Sequence, residues 1–179
     1  MTEAAQAKPG RSYAWGPLSA FGLVVAFLAC AIDQAAKFWL LFGLHLGDYT
    51  HIAVTRFLDL VLTWNTGISY GLFPQQGPVG SWALFGFKVA AVAFLWAWLA
   101  RASARLTALS LGLIIGGAIG NAIDRLHWPG VMDFVLLHLD TANWSFRWYV
   151  FNLADVAIVA GVVGLLYESL RQGGAAKAP

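Results

Sequence analysis

Four aspartates in this chain stand where carboxylate chemistry is feasible. Asp33 precedes Lys37 by four residues, Asp124 follows Asn121 by three and adjoins Arg125, and Asp155 follows Asn152 by three. Asp133 falls between the last two groups, and Asn65 lies in a separate stretch. Two carboxyl groups a few ångströms apart titrate in split steps, so one stays ionised and takes a proton from water while the other, protonated, polarises a carbonyl. That is the chemistry of aspartic proteolysis. No Ser–His or Cys–His pair competes with it: Cys30 lies inside an apolar run with no histidine near it. His45, His51, His127 and His138 match no zinc spacing, so neither a metal nor a cofactor is expected. Spacing alone leaves open which two acids form a pair.

The elements that position these residues are apolar. Of 179 residues, 59% are hydrophobic and 11% charged, whereas a soluble domain carries roughly 25% charged residues. Such a chain lacks the polar surface to face water on all sides, and its length suits one membrane-embedded domain. A net charge of +2 without a basic cluster argues against nucleic-acid binding. The single cysteine excludes an intrachain disulfide and a thiolate metal site. Leu28-Ala29-Cys30 has a faint look of a lipoprotein cleavage box. The apolar run continues through Phe42, too long for a signal-peptide core, which predicts a retained helix.

Four apolar windows of bilayer-spanning length predict transmembrane helices over about 17–44, 82–100, 106–123 and 149–170. Together they form a single domain over 17–170, with tails at 1–16 and 171–179 and outer loops at 45–81 and 124–148. The fold expected is mainly α, an integral-membrane four-transmembrane-helix bundle with a small extracytoplasmic β-cradle. His51 to Trp64 supplies the strand-like signal, being rich in Val, Ile, Thr and Leu with partial alternation. Leu126 to Trp148 shows no sustained helical pattern. Lys8, Arg11, Arg101, Arg105, Arg171 and Lys177 share one side of this topology, against Arg56, Arg125 and Arg147 on the other. The positive-inside rule makes the first side cytoplasmic, with both termini inside.

This topology gathers Asp33, Lys37, Asn65, Asn121, Asp124, Arg125, Asp133, Asn152 and Asp155 into one layer near the outer membrane face. A charge at the centre of a membrane helix costs at least ~2.5–3.5 kcal/mol, so such residues turn inward and find partners. Asp33 with Lys37, and Asp124 with Arg125, are the simple structural pairs. Carboxylates in the layer outnumber its two cations, so at least two acids are left to share protons or face a wet cavity. Gly112, Gly116, Gly117 and Gly120 permit close approach of either neighbouring helices or a docked apolar helix. Trp64, Trp82, Trp128, Trp144 and Trp148 fit an interfacial belt.

Five strings occur in order along the chain: Asp33-Gln34-Ala35-Ala36-Lys37; Asn65-Thr66-Gly67-Ile68-Ser69-Tyr70-Gly71; Gly116-Gly117-Ala118-Ile119-Gly120-Asn121-Ala122-Ile123-Asp124-Arg125; Val131-Met132-Asp133-Phe134; and Phe151-Asn152-Leu153-Ala154-Asp155. The set resembles the successive motifs of bacterial lipoprotein signal peptidase (signal peptidase II). The resemblance implies a membrane aspartic endopeptidase that removes the signal peptide from diacylglyceryl-modified prolipoproteins by cleaving before the lipidated cysteine. It implies Asp133 and Asp155 as the catalytic pair. Asp33, Lys37, Asn65, Gly67, Asn121, Asp124, Arg125, Asn152 and Ala154 match supporting or substrate-binding positions. It further implies a bacterial inner-membrane location with the site near the extracytoplasmic face, prolipoproteins and membrane lipids as partners, no cofactor, and a monomer as the working expectation for an open oligomeric state. The segment Leu136 to Val150 is a few residues longer than the family pattern, which leaves the shape of that loop open. Two other functions compete. A small proton-coupled transporter or channel subunit would use the membrane acids as a relay, and an inactive lipoprotein-binding relative would keep the motifs without turnover.

Overall fold

The computed structural model describes residues 14–66, 78–141 and 143–175. The tails expected at either end therefore lie largely outside the described residues, as does Gly67. Four α-helices and a four-stranded antiparallel sheet make up the described chain: α1 (Ser19–Phe38), β1 (Ile52–Thr55), β2 (Leu58–Asn65), α2 (Pro78–Arg101), α3 (Arg105–His127), β3 (Val131–Asp140), β4 (Ser145–Arg147) and α4 (Leu153–Ala175). α1 runs on into a π-helical turn, Trp39–Gly43, which ends before His45 in a left-handed conformation (φ 52°). Among the described residues three helical stretches are long and apolar enough to cross a membrane, Ser19–Gly43, Arg105–His127 and Leu153–Gln172, with a shorter apolar stretch at Val89–Arg101.

The helices wear their large side chains outward. On α1, Phe21, Leu23, Val24, Phe27, Leu28 and Ile32 are exposed while Ser19, Gly22, Ala26, Asp33 and Lys37 are buried. Lipid tails are as apolar as leucine, so nothing drives large side chains inward. Packing is instead won by backbones that approach closely over small residues. α3 is the central helix, flanked by α1 and α4. A Cβ on Gly116 would run into the Ala26 backbone of α1, and one on Gly117 would lie 2.5 Å from the Ala154 carbonyl oxygen of α4. These glycines are thus filled by neighbouring helices and do not form a groove for a docked peptide. At the opposite end, the Trp96 indole donates to the Ala14 carbonyl at 3.0 Å and its ring lies 6.0 Å from Trp15.

The strand-like stretch expected at His51 to Trp64 folds as the β1–β2 hairpin, turning at Arg56–Phe57. The segment between α3 and α4, which shows no sustained helical pattern in sequence, provides the other two strands. β3 pairs with β2 (Thr63 opposite Asp133, Trp64 opposite Met132), and the longer segment folds back as β4 (Leu139 opposite Phe146). Val131 to Phe134 are all buried, Asp133 among them, so burial in this part of β3 shows no period-two alternation. Leu40 and Leu46 beyond α1 pack with Met132 and Phe134, joining the sheet to the end of the bundle where α1 finishes.

α4 begins at Leu153, later than the apolar window from Tyr149, because Phe151 bridges to Val135 of β3 and Asn152 caps the helix. α3 extends to His127, which puts Asp124 and Arg125 inside its last turn.

Gly117→Ala forces the added methyl against the Ala154 carbonyl and Ile158 Cγ1 at 2.8 Å. Overpacking of this kind costs about 1–3 kcal/mol, so the variant should unfold at lower temperature than the parent in detergent. Unchanged thermal unfolding would contradict the close α3–α4 contact.

Candidate active site

The polar layer resolves into two adjoining networks. The first is built around Lys37, whose side chain points from α1 into the bundle. Its Nζ lies 2.7 Å from Asp33 Oδ2 and 2.7 Å from Asp124 Oδ2, with the cation and both acids buried. Backbone donors supply the rest. Ala154 N–H, in the first turn of α4, donates to Asp33 Oδ1 at 3.0 Å, and Met132 N–H, at the start of β3, donates to Asp124 Oδ2 at 3.0 Å. Gln34 Nε2 reaches across from α1 to donate to Asp124 Oδ1 at 2.8 Å and to the Gly120 carbonyl at 3.0 Å. Gly120 has no side chain because a Cβ there would sit 2.9 Å from Asp33 Oδ2. A buried carboxylate is tolerated only when its lone pairs are met, and here each has a cation and a backbone N–H.

The second network holds Asp133 and Asp155, and amides dominate it. Asn152 Nδ2 donates to Asp133 Oδ1 at 2.6 Å and to Asn121 Oδ1 at 3.1 Å. Asn121 Nδ2 donates to Asp155 Oδ1 at 2.9 Å, and Asn65 Nδ2 donates to Asp133 Oδ2 at 3.2 Å. Asn152 and Asp155 also form a reciprocal cap: the Asp155 N–H donates to Asn152 Oδ1 at 2.9 Å and the Asn152 N–H donates to Asp155 Oδ2 at 3.2 Å. This is the logic of a capping box with Asn and Asp in place of Ser and Glu. It also sets Asp155 at the positive end of the α4 dipole. One asparagine thus touches both acids.

Their environments differ. Asp133 is buried and Asp155 half-buried. Burial first of all pushes the Asp133 carboxyl up to about 6, with the Asp155 charge adding to the rise, while hydrogen bonds from Asn65 and Asn152 hold it down. Arg125 donates from Nη1 to the Asn121 carbonyl at 3.1 Å, and its charge acts on Asp124, Asp133 and Asp155.

Of the residues singled out by sequence, Asp33, Lys37, Asn65, Asn121, Asp124, Arg125, Asp133, Asn152, Ala154 and Asp155 come together, and Gly67 lies outside the described residues. The expected Asp33–Lys37 pair forms. Asp124, expected beside Arg125, takes Lys37 instead, since successive helical residues point about 100° apart and Asp124 faces α1. Ala154 contributes its N–H and not its methyl. Gln34 carries three contacts that sequence reasoning did not assign to it; its place beside Asp33 in the first string was the only signal. Among the described residues no group of acids, histidines and cysteines has a metal-holding arrangement.

A family model described as signal peptidase (SPase) II matches residues 25–171. The chain is 54% identical to a lipoprotein signal peptidase of Rhodopseudomonas palustris (strain TIE-1) over 158 residues, 88% of this chain and 96% of the relative. It is 56% identical, with the same coverage, to a lipoprotein signal peptidase of Nitrobacter hamburgensis. Two solved structures, each described as a bacterial membrane enzyme obtained by the in meso method, share the fold at 21% identity. Their TM-scores are 0.72 and 0.67, each covering 89% of this chain and, respectively, 93% and 97% of the other.

Lys37→Met would leave Asp33 and Asp124 buried without their cation. Removing one partner of a buried ion pair costs about 3–5 kcal/mol, so this variant should denature far more readily in detergent than the parent. Equal stability would show that the backbone donors suffice alone.

Proposed function

The chain belongs to the signal peptidase II family, and from that premise we propose that it is an aspartic endopeptidase removing the signal peptide from diacylglyceryl-modified prolipoproteins, with Asp133 and Asp155 as its catalytic pair. The observation that carries the assignment is the division of the four acids. Lys37 engages Asp33 and Asp124 at 2.7 Å each, whereas Asp133 and Asp155 are bridged by Asn152 and hydrogen-bonded by amides. Amides orient a carboxylate without pinning its charge, and so leave it free to exchange a proton.

In the mechanism this favours, the pair shares one proton, carried by the more buried Asp133. A water between the two carboxyls loses a proton to Asp155 and attacks the carbonyl carbon before the lipidated cysteine. Asp133 donates to the carbonyl oxygen and stabilises the tetrahedral intermediate. Collapse returns a proton to the leaving cysteine nitrogen, and no aspartate becomes covalently attached. Asn152 and Asn121 orient the pair, and Arg125 adds positive potential where oxyanion charge develops.

The same reading treats residues 17–170 as one peptidase domain in the bacterial inner membrane, with α2 as a fourth span. The sheet forms the cradle over the site, and the substrate's acyl chains lie along the apolar helix surfaces. Arg101, Arg105 and Arg171 lie at the helix ends remote from the site, which supports cytoplasmic termini and an extracytoplasmic site. A proton relay would need acids at successive depths. The one buried acid deep in α4, Glu168, is 13 residues from Asp155, roughly 20 Å along the helix.

Asp133→Asn and Asp155→Asn should each lower cleavage of a diacylglyceryl-modified prolipoprotein by at least about 10³-fold while the proteins remain folded in membranes. Robust turnover by either would remove it from the pair. The pH profile offers a second check. Because the active form keeps one proton on the pair and Asp133 sits at about 6, kcat/KM should fall as pH rises through that value. Asn65→Ala withdraws a donor that favours the ionised carboxylate, so the descending limb should move to higher pH; a limb that stays put or moves down would contradict the role given to Asn65.

A further inference from the structure

We propose that the β3–β4 hairpin is a membrane-docking element, its apolar face seated in the headgroup–acyl boundary of the phospholipid leaflet at the site's end of the bundle. The proposal rests on the membrane-spanning assignment of α1, α3 and α4, and not on the choice of catalytic pair. Side chains alternate along a strand, so Trp144, Phe146 and Trp148 share one face. Phe146 stands opposite Leu139 in the register, which puts Leu137 and Leu139 on that face too. All five are exposed. The rings form a continuous ladder, with Trp144 and Phe146 stacked at 5.7 Å and Phe146 and Trp148 5.9 Å apart.

The opposite face is polar. His138 lies between Asp59 (Nε2 to Oδ1, 3.2 Å) and Asp140 (Nδ1 to Oδ2, 3.0 Å), Ser145 Oγ donates to Asp140, and Arg147 is the cross-strand neighbour of His138. Thr141 and Trp144 close the turn through three mutual hydrogen bonds. The hairpin is therefore amphipathic, with its apolar half uncovered.

Position and charge select lipid as the occupant. Trp148 N–H donates to the Leu137 carbonyl at 2.8 Å, and α4 enters its membrane span five residues later at Leu153. The base of the hairpin is thus held at the level where the span begins, the depth at which tryptophan and tyrosine concentrate. The apolar face also continues the face of β3 that carries Asp133: Val135 and Leu137 alternate with it, Leu60 and Leu58 lie opposite them, and Asp133 meets Asn152 at the start of α4. That face is turned toward the bundle's membrane end. At the hairpin's flank the Phe57 carbonyl accepts from His138 N–H at 2.9 Å, and the Arg56 guanidinium stands 4.4 Å over the Phe57 ring. A basic group beside exposed apolar rings complements lipid phosphates. Seated in this way, the hairpin fixes the height of β3, and with it Asp133, against the leaflet.

The test uses the full chain in phosphatidylethanolamine–phosphatidylglycerol vesicles, with Cys30→Ala removing the native thiol. A bimane fluorophore is attached at Phe146→Cys or Leu139→Cys on the apolar face, or at Arg147→Cys on the polar face. The two apolar-face labels should be quenched by lipids bearing a nitroxide near the headgroup end of the acyl chain. Their quenching by aqueous iodide should be severalfold weaker than that of the Arg147→Cys label. Iodide quenching equal at all three positions, or no nitroxide quenching at Phe146→Cys and Leu139→Cys, would overturn the proposal. The measurement needs no substrate, so an error in the catalytic pair would leave it unchanged.

Discussion

The structure depends on how a buried lysine is neutralised. Lys37 is taken out of water in a medium of low dielectric, where an unpaired charge is prohibitive, and it therefore holds Asp33 and Asp124 to itself at 2.7 Å. One cation between two carboxylates leaves negative charge over. Backbone N–H groups of Ala154 and Met132 absorb it, with Gln34 adding a third donor to Asp124. Through those bonds the ionic centre fixes four things relative to one another: α1, the last turn of α3, the first residues of β3 and the N-terminus of α4. Asp133 is one residue beyond Met132, and Asp155 one beyond Ala154. The proposed catalytic pair is thus positioned by the neighbours of the residues that the charge centre grips.

Close helix packing is the condition for that centre to form. Gln34 can donate to the Gly120 carbonyl, and Asp33 can reach the Ala154 N–H, only because α3 shows no side chains where α1 and α4 approach it. A bilayer supplies no hydrophobic force to draw helices together, so small-residue contact and polar bonding must act jointly. The exposed Phe, Leu and Val side chains on the outside then meet lipid.

The sheet has a different task. It brings Asn65 to Asp133 and buries the start of β3, with Met132 and Phe134 packed against Leu40 and Leu46. Asp133 is consequently more buried than Asp155, and that burial pushes its carboxyl up to about 6. The same sheet carries the amphipathic hairpin to the membrane surface.

Local pattern along the chain was enough for the membrane class, for three of the four expected spanning helices, for the strand signal around His51 to Trp64, and for the set of polar residues that meet. Apolar runs, i,i+4 spacing and helix rise act along one chain, so they can be read from one chain. The resemblance of five ordered strings further pointed to the signal peptidase II family and to Asp133 with Asp155. The partnering came from packing in three dimensions: Lys37 with Asp124 in place of Arg125, Ala154 acting through its N–H, Gln34 as a cross-helix donor, and β3 and β4 drawn from a segment without sustained helical pattern. β3 shows no alternation because its first residues are buried on both faces, and hydrogen bonds between distant backbones leave no mark on residue type. Which acids pair with a cation and which are held by amides is a property of three-dimensional proximity, and no spacing along the chain encodes it.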